Sequence, residues 1–287
     1  GASEIRPPLK PNSELRKIKP GELIKTTPNG IERTQLFKQV ISARCTLQDF
    51  YGALAETYMT EDGQTFGDFR KEMGKRLARK FPIEADMVVG VPRSGLQPAV
   101  GYSEESGIPI NQVIRKREEV RTYISPTVEE THRLVNEVYE IPQQKRKEIK
   151  GKRIICLEDS IIKGSTVGGY PLGTDFDSPL KMSLGFAGLL KEAGAAEIHV
   201  VLPMPKFTEG CDGGYVVRKN QIVSLFKQPD GSYIELTSEQ VAKKLGVDSV
   251  NYATIEDVKD LYEDYFGNRE AGCMACVGEK HPLKRIA

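Results

Sequence analysis

Apolar residues gather in short blocks, each closed by a polar turn. Ile154-Ile155-Cys156-Leu157 has no polar alternation and reads as a strand buried on both faces. Ala85 to Val91 is a second such block, running into the glycine-bounded turn Pro92-Arg93-Ser94-Gly95. Ile108 to Ile114 and Glu197 to Leu202 are expected as two more strands. Helices are expected between them. Phe69, Met73, Leu77 and Ala78 mark one apolar stripe over Phe66 to Phe81, with Lys71, Lys75, Arg76 and Arg79 on an outer face read as solvated surface. Leu96 to Ser106 follows as a second helix, and Leu189 to Ala193 leads to a helix end at Gly194. Thr237 with Gln240 and Thr254 with Asp257 have capping-box spacing and open two helices near the C-terminus. Strand and helix alternate as βαβ, which implies an α/β fold on a parallel sheet.

Other stretches lack that rhythm. Residues 1–34 are rich in Pro and Lys, with one strand-like island at Glu22-Leu23-Ile24-Lys25, and read as a tail ahead of a domain over 35–287. An apolar and aromatic segment from Thr34 to Tyr58 surrounds Cys45. Arg115 to Lys152 is strongly charged with little apolar periodicity, which suits an active-site lid or a surface loop. Tyr215 to Leu236 has a hairpin-like pattern.

Composition narrows the class. A chain of 287 residues, 39% hydrophobic and 28% charged, can bury a proper core. With 41 basic and 40 acidic side chains the net charge is +1, so no global field recruits nucleic acid or an anionic membrane. No apolar run approaches a membrane span, and the start lacks the apolar core of a signal peptide, so a cytoplasmic location is expected. Gly1-Ala2-Ser3, without an initiating Met, matches the scar of a removed tag.

Candidate chemistry centres on Glu158 and Asp159, side by side at the carboxyl end of a buried strand, where open α/β sheets bind ligands. The turn from Ile162 through Lys163, Gly164, Ser165 and Thr166 offers backbone N–H groups and hydroxyls suited to a phosphate monoester. A ribose 5-phosphate would satisfy acids and turn together; a polar loop after a buried strand is the plainer reading. Of the five cysteines, Cys156 sits in the apolar strand as a small core residue. Cys273-x-x-Cys276 is open to metal binding, redox chemistry or coincidence. His132, His199 and His281 are scattered and read as structural or surface residues.

The segment Glu158 to Thr166 resembles the PRPP-binding motif of type I phosphoribosyltransferases, and most closely that of the glutamine PRPP amidotransferases. Glu158 stands where that family usually has aspartate. Val91-Pro92-Arg93-Ser94-Gly95 resembles its pyrophosphate loop, with Arg93 at a usual aspartate, and Arg115 to Ile124 resembles its flexible loop. The family's aromatic residue there falls on Glu118, and Asn136 to Pro142 replaces a later basic run. Residues between Val167 and Leu189 form an insertion.

The resemblance implies a type I phosphoribosyltransferase fold, a parallel sheet flanked by helices with a C-terminal helical cap. It implies that Arg93, Ser94, Gly95, Glu158, Asp159, Ile162, Lys163, Gly164, Ser165 and Thr166 bind substrate, with Glu158 and Asp159 also on Mg2+, and that Arg117 and Arg121 act in catalysis. Cys45, Cys211, Cys273 and Cys276 fall in the contexts of the ligands that hold a 4Fe-4S cluster in some members; zinc would use the same four. The implied reaction is ammonia transfer to PRPP, giving 5-phosphoribosylamine and pyrophosphate. Leu15 to Glu22 resembles the end of the family's glutaminase domain, so the similarity starts partway through the parent protein and ammonia would be free or come from a separate glutaminase. A homo-oligomer is expected. Another nucleophile, or a PRPP-sensing regulator without catalysis, are the competing readings.

Overall fold

A computed structural model describes residues 18–19, 21–37, 43–117, 139–169, 185–211 and 217–282. In chain order the strands are β1 (Glu22–Thr27), β2 (Gly30–Gln35), β3 (Arg44–Cys45), β4 (Met87–Gly90), β5 (Arg115–Lys116), β6 (Tyr139–Glu140), β7 (Arg153–Leu157), β8 (Glu197–Leu202), β9 (Leu225–Lys227), β10 (Tyr233–Glu235), β11 (Ser249–Tyr252) and β12 (Gly272–Cys273). The helices are α1 (Phe66–Lys80), α2 (Leu96–Ser106), α3 (Arg146–Ile149), α4 (Ser165–Gly168), α5 (Phe186–Glu192), α6 (Ser238–Leu245) and α7 (Ile255–Phe266).

The centre is a four-stranded parallel sheet in the order β11-β8-β7-β4. Central strand β7 and its neighbour β4 are apolar on both faces because both are covered. Ile155 and Leu157 of β7 join a cluster with Phe69 and Met73 of α1, Tyr102 of α2 and Val258 and Leu261 of α7. Ile154 and Cys156, pointing the other way, pack with Phe186 and Leu190 of α5 and Val241 and Leu245 of α6. Each fully buried aliphatic side chain of this kind is worth about 1.5–3 kcal/mol. As expected, Thr237 and Thr254 form capping boxes with Gln240 and Asp257; Thr65 and Asp68 form a third at the start of α1. The basic outer face of α1 is ion-paired: Lys71 with Glu104, Arg76 with Glu72, and Arg79 with Glu105.

Several expectations need correction. Ile108 to Ile114 is not a strand; it touches the sheet through one parallel bridge, Ile110 to Val88. Pro109 has no N–H to give, and the Gln112 side chain takes the Gly90 and Ile114 carbonyls, so a ladder cannot propagate. The island at 22–25 is half of a hairpin, β1 with β2, turned at Pro28-Asn29. The charged stretch Arg115 to Lys152 carries the β5–β6 ribbon and α3, with Ile141 and Ile149 buried beneath it. Strand β11 gave no clear signal, since Ser-Val-Asn-Tyr alternates at an edge. The tail before residue 18, His132 and most of the lid and of the insertion lie outside the described residues.

Helices α1 and α2 meet so closely that a Cβ on Gly101 would overlap the Lys71 carbonyl oxygen. Gly101→Ala gains about 1 kcal/mol of helix propensity but puts a methyl into backbone, which cannot yield as a side chain does, so the overpacking cost falls in the upper range, about 2–3 kcal/mol. We expect a lower urea midpoint, equivalent to a net loss of about 1–2 kcal/mol. An unchanged or raised midpoint would mean that the helices do not touch there.

Candidate functional site

Two loops meet at the carboxyl edge of the sheet. Neighbouring strands β4 and β7 end in register, Gly90 opposite Leu157, so the turn at 91–95 and the acids at 158–159 emerge side by side. Val91 N–H donates to the Leu157 carbonyl at 2.8 Å, and a Cβ on Gly95 would overlap the same oxygen. Only glycine lets the turn lie this close to β7. Ser94 is thereby pressed onto the acids: its hydroxyl donates to Asp159 Oδ2 and lies 3.2 Å from Glu158 Oε1. Ser160 donates to Asp159 Oδ1 at 2.5 Å, and Asp159 N–H donates to Glu158 Oε1 at 3.0 Å.

Both acids are buried, 5% and 4% exposed. Burial, then the neighbouring Asp159 carboxylate, pushes Glu158 well above the usual carboxylate range. Its Oε2 is buried and has no hydrogen-bond partner among the described residues. Such an oxygen calls for a ligand hydroxyl, a cation or a proton. Two carboxylates and a serine hydroxyl form an all-oxygen set, which suits a hard divalent cation. Magnesium therefore fits this group.

The next loop passes buried Ile161 and half-buried Ile162 and Lys163 to Gly164, whose φ of +79° is left-handed, before the short turn α4. Val167 and Gly168 N–H groups bond back to the Gly164 carbonyl, leaving Ser165 and Thr166 N–H as the leading donors of the turn. Ile162 is pinned by a 2.8 Å bond from Val223 N–H to its carbonyl. Described chain stops at Gly169 and resumes at Gly185, where a Cβ would collide with the Val167 carbonyl, so the insertion leaves and returns at one point beside this loop.

A second constellation lies where the segment before α1 meets the end of the chain. Strands β3 and β12 pair in parallel with Cys45 opposite Cys273. Cys276 follows one turn later, and its carbonyl accepts from Thr208 and Glu209 N–H, drawing in the loop of Cys211. All four are free thiols. Burial, then Cys45, Cys211 and Cys273 around it, pushes the Cys276 thiol up to about 12. Among the described residues, no three Cys, His, Asp or Glu are placed to hold one metal ion. Strand pairing and the Cys276 carbonyl thus bring the four cysteines into one neighbourhood.

No family model matches the chain. Among curated proteins it is similar to the amidophosphoribosyltransferase of Mycobacterium bovis, 31% identical over 275 residues, 95% of this chain and 46% of that protein. That of Archaeoglobus fulgidus is 29% identical over 274 residues, 94% of this chain and 52% of that one. Among solved structures, the glutamine PRPP amidotransferase from B. subtilis, complexed with ADP and GMP, aligns with a TM-score of 0.67 and 26% identity over 93% of this chain and 53% of that chain. A structure described as the allosteric regulatory enzyme of purine biosynthesis aligns at 0.71 and 25%, covering 93% and 52%. Over nearly its whole length the chain is similar to members of the glutamine PRPP amidotransferase family. It spans about half the length of the curated relatives it matches.

Members of this family were the resemblance drawn from the motifs, and the parallel sheet flanked by helices agrees with it. Of the expected site residues, Ser94, Gly95, Glu158, Asp159 and the Ile162 to Thr166 loop come together at one edge. Arg93 is exposed on the same turn. Arg117 stands at the base of the β5–β6 ribbon, on Glu140 together with Arg115, rather than on the acids. Arg121 lies outside the described residues. Sequence reading missed Tyr139, which stands beside the acid pair: burial, then Glu158, Asp159 and Tyr51, hold its phenol well above its ordinary range. It also missed the buried Asp49, held by Arg44 at 2.7 Å and Tyr262 at 2.7 Å next to Cys45. Neither residue belongs to a local motif, although Tyr-Glu-Ile-Pro after a charged run is a short strand signal.

Because Glu158 is raised above its unfolded value, its contribution to stability is complete below the unfolded pKa near 4.5 and lost as pH rises through the folded value. Glu158→Gln removes this penalty. In metal-free, ligand-free protein we expect the variant to be more stable than the parent at pH 8 by about 1–3 kcal/mol, the cost of an unsatisfied buried group, with the gap closing by pH 4. Parallel urea melts across that range check it. A variant less stable at both ends contradicts the buried orphan oxygen.

Proposed function

We propose that this chain binds magnesium PRPP at the acid pair and catalyses transfer of its phosphoribosyl group to ammonia, within purine biosynthesis. The observation that carries the reading is a buried acid pair with one unsatisfied oxygen, set between a serine-bearing turn and a phosphate-sized nest. Glu158 and Asp159 would take the ribose hydroxyls, the Ile162 to Thr166 loop the 5-phosphate, and Arg93, Ser94 and Gly95 the pyrophosphate. The cation would be held by Glu158 and Asp159 with Ser94 beside them, and when bound it neutralises charge on the leaving group.

The chemistry asks little of a base. The ammonia lone pair forms a C–N bond at the anomeric carbon as the C–O bond to pyrophosphate breaks, both electrons leaving with pyrophosphate, and the resulting ammonium loses one proton to solvent. Negative charge grows on the departing group, so N–H donors and cations are the useful catalysts. Arg117 and Arg121 are assigned that role. Ammonia is free or comes from a glutaminase in another chain, and the enzyme works as a homo-oligomer. Residues 35–287 are read as the phosphoribosyltransferase domain and 1–34 as an arm. The insertion beside the phosphate loop favours a second reading, transfer to a different nucleophile.

Pyrophosphate release from PRPP, with ammonia and then with a panel of amines and bases, separates these. Release with ammonia is expected, and Glu158→Asn with Asp159→Ala should weaken PRPP binding at least about 100-fold by calorimetry, the scale of losing two charged hydrogen-bonding groups. Release only with another acceptor would favour the second reading, and none with any nucleophile a regulator. Unchanged affinity in the folded double variant would sink the site.

We also propose that Cys45, Cys211, Cys273 and Cys276 hold a 4Fe-4S cluster with a structural role. Support comes from the pairing of Cys45 with Cys273 and from the place of Cys276 among the other three thiols; a 4Fe-4S cluster takes four cysteine ligands. Anaerobically purified protein should be brown, with iron and acid-labile sulfide in equal amounts. Each of these cysteines changed to serine should bleach it, while Cys156→Ser keeps the colour. Colourless protein with stoichiometric zinc would replace the iron, and metal-free folded protein with four free thiols would remove the site.

A further inference from the structure

Tyr139 opens β6, and three independent contacts fix where its ring can go. Its backbone pairs with Lys116 across the ribbon. The next residue, Glu140, is clamped by Arg115 and Arg117, and Ile141 is buried in the apolar cluster that holds Val91 and Ile161, against which the Tyr139 ring packs. The side chain is therefore mounted on both sides and aimed at the seam between the two site loops. There its hydroxyl lies 3.4 Å from the Pro92 carbonyl oxygen, two residues before Ser94.

We propose that Tyr139 is a positioning residue for the pyrophosphate-binding turn: its hydroxyl holds the Pro92 carbonyl and thereby aims Ser94 at the acid pair. A mostly buried phenol needs an acceptor, and a carbonyl in a turn has few other donors within reach. Val91 N–H and the packing of Gly95 tie the two ends of the turn to β7, and the Ser94 hydroxyl bonds the acids. Between these ties, the Tyr139 hydroxyl reaches the Pro92 carbonyl. A phenol is protonated at neutral pH and so serves as a donor. The proposal rests on the PRPP reading, and it assigns Tyr139 to the pyrophosphate half of the ligand and not to the sugar half.

That division gives the test. Tyr139→Phe keeps the ring and deletes the hydroxyl. Calorimetry with magnesium pyrophosphate, and separately with ribose 5-phosphate, reads the two halves in the full chain. We expect the variant to bind pyrophosphate about three- to tenfold more weakly, the range of one neutral hydrogen bond, with ribose 5-phosphate unchanged within twofold and the melting temperature unmoved. Equal affinity for pyrophosphate in variant and parent would overturn the proposal. A selective loss of ribose 5-phosphate would overturn it too, placing the hydroxyl on the acids. Equal weakening of both probes with a lowered melting temperature would mark a merely structural tyrosine and also overturns it. Parent protein that binds neither probe would sink the PRPP reading itself, and this proposal with it.

Discussion

The site depends on one close approach, the packing of the 91–95 turn against the carboxyl end of β7. Gly95 lies so near the Leu157 carbonyl that no side chain fits between, and Val91 N–H bonds to that same oxygen. Parallel neighbours deliver their loops to one edge by topology, but topology alone leaves those loops free to splay. Here backbone contact removes the freedom, and Ser94 lands on both acids as a consequence. The geometry of the acid pair is thus set by a residue without a side chain.

Two buried acids in this chain are treated in opposite ways, and the contrast separates framework from site. Asp49 is 1% exposed, and burial raises its pKa, but Arg44 and Tyr262 opposite it offset much of that cost. Arg44 is itself held over the Phe66 and Phe266 rings, while Arg70 bonds the carbonyls of Asp49 and Ala53, closing the network. That arrangement fixes the segment after Cys45 onto α1 and α7. Among the described residues, Glu158 and Asp159 receive hydroxyl and amide donors but pair with no Lys or Arg, and one oxygen is left over. An unsatisfied buried carboxylate is costly to a fold and is kept where something else binds to it.

The cysteine constellation and the acid pair occupy different ground. One is built where β3, β12 and the loop of Cys211 join, far along the sequence from each other; the other grows from neighbouring strands of the core sheet. A cross-link among Cys45, Cys211, Cys273 and Cys276 would staple an early and a late segment of the described chain over the α1 and α7 face, adding to the packing of Phe69, Tyr262 and Tyr265 and to the Asp49 network.

Local pattern was enough for much of this. Four apolar residues ending in two acids and a glycine turn encode strand β7, the acid pair and the nest, because each rests on short-range chemistry: burial on two faces, a carboxyl-end position and a left-handed glycine. Capping boxes at Thr237 and Thr254 are likewise local. The sequence by itself therefore determined strand β7, the capped helices and the identity of the acids. Ile110, Tyr139 and the partnership of Ser94 with Glu158 and Asp159 were decided by tertiary structure alone. Whether Ile108 to Ile114 forms a ladder depends on what Gln112 bonds across the edge. Tyr139 gains meaning only from Pro92, 47 residues earlier, and Ser94 reaches acids 64 and 65 residues away. Hydrogen bonds act over about 3 Å of space, and no spacing along the chain reveals which distant residues folding will bring within it.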